Sequence, residues 1–266
     1  MHLARRHLSK SRGTYRRAAA LVDRRNNFVY LPPERDEEPV TLTQNLSAAD
    51  SMQTSIADPQ RAPEMLAVRE SIRGWRFYDG FRTDIASPVR IPQIGTFTPV
   101  LNNDGTDLPA ALQTIFEIGD DEALARTIDD AFPKSRVHIE VQNGRFEINL
   151  QQHGLLRPLS AAELSDGTLR YLLWTAALLT PRPPQLMVLN EPETSLHPDL
   201  LPPLARLIIA ASQHSQLIVV SHARILIESL SEAPQCRLLP LEKSFGETVL
   251  SDATLFNRPA WQWPSR

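Results

Sequence analysis

The sequence has 266 residues, of which 42% are hydrophobic and 22% are charged, a composition typical of a soluble globular protein with one large domain or two small ones. Its 28 basic and 31 acidic residues give a net charge of −3, which excludes a globally basic nucleic-acid binder. One cysteine excludes a disulfide framework and a zinc site of several thiolates, and no apolar run reaches the length of a membrane span.

Residues 1–63 are predicted to form a basic N-terminal arm followed by a loop. Residues 1–25 hold eight Lys and Arg residues against the single acid Asp23. Such a segment fits a solvated tail, a transit peptide or a nucleic-acid arm, and the residues alone do not choose among these. A short strand is predicted over residues 27–31, and the polar, proline-broken stretch 34–63 predicts a long loop.

Residues 64–158 are predicted to form a lobe of helices and one β-hairpin. Helical spacing of apolar residues and capping signals predict helices over residues 64–77, with a break at Gly74, and over 108–118 and 121–132, with a long loop over 78–107. Two alternating runs between residues 136 and 150 flank Asn143–Gly144. Because Asn-Gly readily adopts the positive φ angles of a type I′ turn, these runs predict a hairpin.

Residues 159–266 are predicted to form an α/β lobe. Fully apolar strands alternate with helices, which indicates a buried, mainly parallel sheet. The predicted helices are 168–179, 200–213 and 225–230, and the predicted strands are 185–190, 216–220 and 236–241. Cys236 falls in the last of these strands and is expected to be inert core, and Trp261 and Trp263 are expected to belong to a tail that docks on the protein.

Three segments place polar residues where ligands bind in open parallel sheets, at strand ends or at a helix start. The first, residues 164–170 (LSDGTLR), opens a helix whose free N–H groups and positive dipole suit a phosphate. Ser165 is a candidate cap of that helix, and Gly167 allows close approach of the backbone. An ordinary serine cap is the alternative interpretation of this segment.

The other two segments are apolar strands that end in polar pairs. In residues 186–193 (LMVLNEPE) the strand delivers Asn190 and Glu191, and Glu191 would lie where a carboxylate can orient a water for attack on a phosphate. In residues 218–222 (IVVSH) the strand delivers His222, which could hydrogen-bond a phosphate and the attacking water. A metal site of a hydrolase is an alternative for the acids and histidines of this region, but their spacing fits no standard zinc pattern such as H-E-x-x-H. Its members would be His197, His222, Glu191, Glu193 and Asp199. Ser221 and His222 are adjacent strand residues on opposite faces, so they do not form a catalytic triad.

Together the three segments resemble the C-terminal part of an ABC-type ATPase head of the RecF/SMC-like predicted ATPase group. Residues 164–170 resemble the ABC signature motif, LMVLNEPETSLHP resembles the Walker B strand with its catalytic glutamate and D-loop, and VVSHA resembles the switch-histidine motif. The fold class that this resemblance implies is an α/β, incomplete P-loop NTPase with a mainly parallel sheet and the adjoining helical and hairpin lobe.

The resemblance implies that ATP and Mg²⁺ are the cofactors and that two heads sandwich the nucleotide. Glu191 would then polarise the attacking water, and His222 would stabilise the transition state. The nucleotide-binding residues that it implies are Ser165, Asp166, Gly167, Thr168 and Ser195. The partner would be a second copy or a complete ATPase head, with DNA or a nuclease as a further partner. The implied location is the cytoplasm, and the implied settings are DNA repair, chromosome maintenance and phage or toxin defence.

Two departures from the family pattern change what is expected of this chain. No G-x-x-x-x-G-K-[ST] loop is present, because no two glycines stand five positions apart and no lysine follows a glycine. The expected reason is a missing N-terminal lobe, which would leave a weak or inactive ATPase. The rival interpretation is a non-catalytic protein that lends its signature helix to a complete head. In addition, Asn190 replaces the usual aspartate, so it would bind Mg²⁺ through water and without charge.

Overall fold

The computed structural model describes residues 2–4, 20–31, 38–244 and 246–250. The chain divides into two compact units, Met1–Arg76 with Pro184–Leu186, and Phe77–Pro183 with Met187–Arg266. Most of the predicted basic arm, together with Trp261 and Trp263, lies outside the described residues.

The first unit contains a four-stranded antiparallel sheet with the strand order β1-β2-β3-β4, and two helices. Its elements are β1 (His2–Ala4), β2 (Ala20–Arg25), β3 (Phe28–Leu31), β4 (Val40–Thr43), α1 (Met52–Ser55) and α2 (Pro63–Gly74). The strand near residue 28 and the end of a helix at Gly74 agree with the sequence predictions. The prediction of one long loop over 34–63 is wrong at β4 and α1, because β-branched Val40, Thr41 and Thr43 pair with β3 despite their polar surroundings.

The second unit holds the larger hydrophobic core and all three segments of the candidate site. Its strands are β5 (Arg76–Tyr78), β6 (Gln93–Ile94), β7 (Arg136–Gln142), β8 (Arg145–Gln151), β9 (Leu159–Ser160), β10 (Leu186–Asn190), β11 (Gln216–Val220), β12 (Leu241–Ser244) and β13 (Glu247–Leu250). Its helices are α3 (Leu108–Ile118), α4 (Asp121–Ala131), α5 (Asp166–Leu178), α6 (Leu201–Ala211) and α7 (Arg224–Ser231).

A parallel sheet with the strand order β11-β10-β5 forms the base of the site. Helix α6 connects β10 to β11, as a parallel pair requires. On β10, alternation buries Met187 and Leu189 on the face of the sheet that meets the core. On β11, Ile218 and Val220 are about half exposed. The predicted α/β fold with a mainly parallel sheet is therefore confirmed, and helix α5 lies almost wholly inside the core.

The β7–β8 hairpin matches its prediction in detail. Asn143 has a φ of 51° and Gly144 a φ of 72°, and Gln142 pairs with Arg145, as a type I′ turn requires. In this lobe β8 also pairs with β6 and β9. Helices α3 and α4, which follow the predicted bounds closely, pack against the hairpin.

The end of the second unit differs from the prediction. Residues 236–240 form no strand, and the observed strand begins only at Leu241, where β12 pairs with β13 in a separate hairpin. Leu238 and Leu239 are exposed, and proline at position 240 lacks the N–H that a ladder needs. Cys236 is exposed as well, so the prediction that it is inert core is wrong.

Truncating the core of α5 is expected to destabilise this unit strongly. Leu172 is fully buried, so Leu172→Ala should lower the free energy of unfolding by about 2–5 kcal/mol through lost burial and a residual cavity. Leu156 is fully exposed, and Leu156→Ala should change it by less than about 0.5 kcal/mol. Urea unfolding of both variants checks this, and equal effects would contradict the assignment of α5 to the core.

Candidate functional site

Two strand ends bring the predicted carboxylate and imidazole together. The Glu191 N–H donates to the Val220 carbonyl at 2.8 Å, which joins the end of β10 to the end of β11. His222 follows β11, and its Nδ1 lies 3.7 Å from Glu191 Oε1. Both side chains are largely exposed. The pair therefore meets at the carboxyl edge of the sheet, where both groups can reach a ligand from solvent.

The backbone after β10 is strained at two positions. Glu191 has a φ of 46° and Ser195 a φ of 63°, which are left-handed values that cost a non-glycine residue about 1–2 kcal/mol. Bonds from Thr194 N to the Glu191 carbonyl and from Leu196 N to the Glu193 carbonyl close the turn, each at 3.0 Å. Strain of this kind persists only where the surrounding structure imposes it, and it clusters at functional sites.

Glu193 is buried beneath this edge, whereas the sequence suggested for it only a place in a metal site of non-standard spacing. Its side chain is 7% exposed. Its Oε1 accepts hydrogen bonds from Ser221 Oγ at 2.8 Å, His222 N at 3.0 Å and Ala223 N at 3.2 Å. The carboxylate therefore fixes the turn that carries the histidine. The sequence signal for this role is the second glutamate of the pair around Pro192, because only the first, Glu191, was assigned to chemistry on a phosphate.

The signature-like segment, residues 164–170, forms the start of α5 as predicted. Ser165 caps the helix, since its Oγ accepts from Thr168 N at 3.1 Å and also contacts Thr168 Oγ1 at 2.9 Å. The N–H groups of the first helical turn, at Asp166 and Gly167, have no acceptor within the helix. An exposed helix start of this kind can bind an anion.

A buried arginine holds the signature-like segment in place. Arg90 is 9% exposed, and its Nη1 donates to the Leu164 carbonyl at 2.7 Å and to the Ala161 carbonyl at 3.3 Å. Its Nη2 donates to Asp166 Oδ1 at 2.6 Å, and its Nε to the Thr83 carbonyl at 2.9 Å. One guanidinium therefore fixes both the approach to α5 and the first residue of the helix. In the sequence, Arg90 belongs to the loop predicted over residues 78–107, where no local pattern marks it as buried.

Gly167 is where the signature-like segment meets the turn after Glu191. A Cβ on Gly167 would lie 2.9 Å from the Ser195 carbonyl oxygen, closer than packed atoms tolerate. Helix α5 also contacts this turn through Trp174, whose Nε1 donates to the Pro192 carbonyl at 3.0 Å. The structure therefore brings Ser195 to Gly167 and His222 to Glu191.

Two arginines near the start of α5 are involved in pKa shifts: the pKa of Arg170 is lowered, and Arg157 lowers the pKa of Glu163. Arg170 Nη2 donates to the Phe81 carbonyl at 2.9 Å, and burial lowers the pKa of its guanidinium. Arg157 makes a bidentate contact with Glu163, in which Nη2 donates to Oε1 at 2.6 Å and Nη1 donates to Oε2 at 2.8 Å. That contact, helped by the Ser160 N–H, lowers the pKa of Glu163 from 4.5 to about 2. Through the same Ser160 N–H, Glu163 caps the start of the short helix Ala161–Glu163, which leads into Ser165.

Asn190 ends β10 in an exposed position, as predicted. Within the described residues, no group of three or more histidine, cysteine and acidic side chains is arranged to hold a metal ion. The role of Asn190 as a water-mediated Mg²⁺ partner therefore remains a prediction. Helices of the described part are all too short or too polar to cross a membrane.

Comparison with known proteins identifies one family. A family model described as "AAA domain, putative AbiEii toxin, Type IV TA system" matches residues 31–228 of the chain. None of the curated proteins matches it.

Several solved structures are similar in fold. An Smc head bound to the C-winged helix domain of ScpA is 12% identical with a TM-score of 0.50, over 86% of this chain and 68% of that chain. A structure from work on ATP-driven dimerisation and DNA-stimulated activation of SMC ATPases is 16% identical with a TM-score of 0.40, over 55% and 91%. The Smc head with a coiled coil and joint from Pyrococcus yayanosii is 16% identical with a TM-score of 0.44, over 55% of this chain and only 28% of that chain. The first likeness supports a P-loop NTPase-like α/β fold.

Replacing the buried guanidinium should destabilise the second unit. In Arg90→Met the carbonyls around residues 83 and 161–164 lose their donor, and Asp166 loses its partner. Stranded buried polar groups are expected to lower the free energy of unfolding by about 2–4 kcal/mol. Arg82→Met, an exposed change eight residues earlier, should lower it by less than about 0.5 kcal/mol. Urea unfolding distinguishes the two variants, and an Arg90→Met protein as stable as Arg82→Met would contradict this role.

The Arg157–Glu163 contact should produce a pH-dependent contribution to stability. The folded-state pKa of Glu163 is depressed to about 2, so its contribution is complete above the ordinary value of 4.5 and is lost as the pH falls towards 2. The difference in free energy of unfolding between the wild type and Glu163→Gln should therefore be constant from pH 7 to 5 and shrink below that. Because the pair is exposed, salt should also reduce the difference. A difference that is unchanged at pH 2.5 would contradict this assignment.

Proposed function

The chain belongs to the AAA domain family whose model spans residues 31–228, and on this premise we propose that it is an ABC-type ATPase head that hydrolyses ATP between two copies of itself. The family model describes an AAA domain, and the fold is P-loop NTPase-like. The finer assignment to hydrolysis, Mg²⁺ and a dimer is the proposal.

The observation that carries the proposal is the meeting of Glu191 and His222 at one sheet edge. A carboxylate there can accept a proton from a water molecule as the water attacks a phosphate. An imidazole within 3.7 Å of that carboxylate can hydrogen-bond the same water or a phosphate oxygen. Both groups are open to solvent, so a nucleotide could reach them without any rearrangement of the core.

The second half of the proposed site is the start of α5. The N–H groups at Asp166 and Gly167, together with the dipole of a 13-residue helix, attract a phosphate oxygen. Arg90 holds this start rigidly, so little ordering entropy is lost on binding. The family resemblance places this segment against the γ-phosphate carried by the other head. Ser165 of one copy would thus face Glu191 of the second.

The sequence lacks the glycine-rich loop and lysine that usually hold the β- and γ-phosphates. The described residues therefore fit the γ-phosphate end of ATP and do not fit a tight cradle for the whole triphosphate. Asn190 would support the Mg²⁺ that arrives with ATP through a neutral oxygen, which weakens its hold on the ion. We accordingly expect millimolar rather than micromolar binding of MgATP.

A second candidate function is favoured by the construction of the signature-like segment. Arg90 and the Ser165 cap fix that segment through contacts that do not involve Glu191 or His222. The chain could therefore lend α5 to a complete ATPase head without doing chemistry itself. In either role we place the protein in the cytoplasm, with DNA or a nuclease as the further partner that its family resemblance suggests.

Mixing two inactive variants tests the proposal. Glu191→Gln should lose hydrolysis by at least about 100-fold while still binding MgATP, because it removes the proton acceptor and little else. Ser165→Arg should block the signature-like segment with Glu191 intact. In a mixed dimer one of the two sites holds a wild-type Glu191 and a wild-type Ser165. Random pairing of equal amounts makes about half of the dimers mixed, so the mixture should recover about a quarter of wild-type turnover at about 10 mM MgATP.

Two results would overturn the proposal in different ways. Hydrolysis by the wild type without recovery in the mixture would mean that the active site lies within one copy. No hydrolysis dependent on Glu191 at any chain concentration would favour the second candidate. The second candidate would then be tested with a complete head of the same family whose own signature serine is replaced. Its ATP hydrolysis should increase when this chain is added.

A further inference from the structure

His222 needs a fixed orientation to act on a nucleotide, yet its side chain is 76% exposed. An exposed side chain samples several rotamers unless a partner holds it, and ordering it costs free energy. The turn that carries His222 is itself short, since α7 begins at Arg224. Something outside the turn must therefore hold both the backbone and the ring.

The carboxylate of Glu193 makes the contacts that such a holder requires. Its Oε1 accepts from the hydroxyl of Ser221 and from the backbone N–H groups of His222 and Ala223. Charge-assisted bonds to N–H groups are among the stronger hydrogen bonds in proteins, and burial of the carboxylate strengthens them further. Its Oε2 is buried and has no hydrogen-bond partner among the described residues, so the group has an acceptor to spare.

Two carboxylates face the same nitrogen of the ring. His222 Nδ1 lies 3.4 Å from Glu193 Oε1 and 3.7 Å from Glu191 Oε1. Carboxylate oxygens can only accept hydrogen bonds, so two of them near one ring nitrogen favour the tautomer that carries its proton on that nitrogen. The other nitrogen, Nε2, is then the one left for water and phosphate.

Glu193 is the better placed of the two holders. It is nearer to Nδ1, and its side chain is only 7% exposed, so the local dielectric is lower and the attraction is stronger. The Glu191 carboxylate is about half exposed, so solvent screens its attraction for the ring. The two glutamates would therefore have different roles: Glu193 would hold the imidazole, and Glu191 would remain free for the attacking water.

We propose that Glu193 is the positioning residue for His222: it fixes the backbone of residues 221–223 and holds the imidazole with the proton on Nδ1, so that Nε2 faces the nucleotide. The inference rests on the proposed ATPase function. Glu193 itself touches neither water nor phosphate in this arrangement, and it acts through the histidine.

The protonation pattern of the ring can be measured without nucleotide. Nitrogen-15 NMR of the side chain at about pH 8.5, where an ordinary imidazole is neutral, reports which nitrogen carries the proton. His222→Asn identifies the His222 signals among the seven histidines. The wild type should show the Nδ1–H form, and Glu193→Gln should shift His222 towards the Nε2–H form. Glu191→Gln, the same change two residues earlier, should leave the Nδ1–H form predominant.

Hydrogen exchange tests the backbone part of the proposal. In Glu193→Ala the amide proton of His222 loses its acceptor and should exchange at least about tenfold faster, whereas the Ala223 amide keeps Ser221 Oγ at 3.1 Å as an acceptor and should change less. Glu191→Ala should leave both amides within about twofold of the wild type. Glu193→Asp keeps the charge and should retain the Nδ1–H form, which covers the case of a Glu193→Gln protein that does not fold.

A His222 ring that keeps Nδ1–H in Glu193→Gln and loses it in Glu191→Gln would overturn the inference. Neither readout involves ATP. A chain that hydrolyses no ATP but shows the expected NMR shift would therefore refute only the proposed function. A chain with Glu191-dependent hydrolysis and no effect of Glu193→Gln on the ring would refute only the positioning role.

Discussion

The hydrogen bond from Glu191 N to the Val220 carbonyl joins the ends of two strands that α6 separates in the chain. The pairing of β10 with β11 depends on the burial of Met187 and Leu189 on one face of the sheet, against the core formed with α5 and α6. Because parallel strands end at the same edge, that burial also decides where the polar residues lie. The hydrophobic core thereby sets the position of the carboxylate and the imidazole, although neither side chain belongs to it.

Two buried charges, Arg90 and Glu193, organise the irregular segments around this edge. Arg90 ends the 3-10 helix Pro88–Arg90, and Glu193 lies in the turn after β10. Both serve backbone carbonyl or N–H groups next to the ends of regular elements, where such groups need partners. Arg90 supplies donors to a series of carbonyls before α5, and Glu193 supplies an acceptor to successive N–H groups after β11. A buried charge is costly when alone, but these are satisfied by backbone dipoles over short distances. The loops of the site therefore owe their shape to single side chains.

The candidate site has groups suited to the terminal phosphate of ATP but lacks those that usually hold the other phosphates. The groups that could act on the terminal phosphate are in place, and the helix start that could face it is rigidly capped by Ser165. The sequence offers no lysine and no glycine-rich loop for the rest of a triphosphate. In the proposed ATPase, the β-phosphate would lack its usual backbone and lysine donors, so affinity and chemistry would depend on different parts of the chain. The chain can be well arranged for the reaction and still hold its substrate weakly.

The sequence by itself determined the elements with strong local signals. The Asn143–Gly144 turn, helices α3 to α5 and the two apolar strands with their polar ends all follow from periodicity and turn chemistry. It failed where pairing is decided at a distance, at β4 and at residues 236–240, because local composition does not reveal whether a strand finds a partner. Only the tertiary structure showed that Arg90 and Glu193 hold the site, since each binds residues about 30 or more positions away. Burial of a charge depends on the folded surroundings, and no local pattern encodes it.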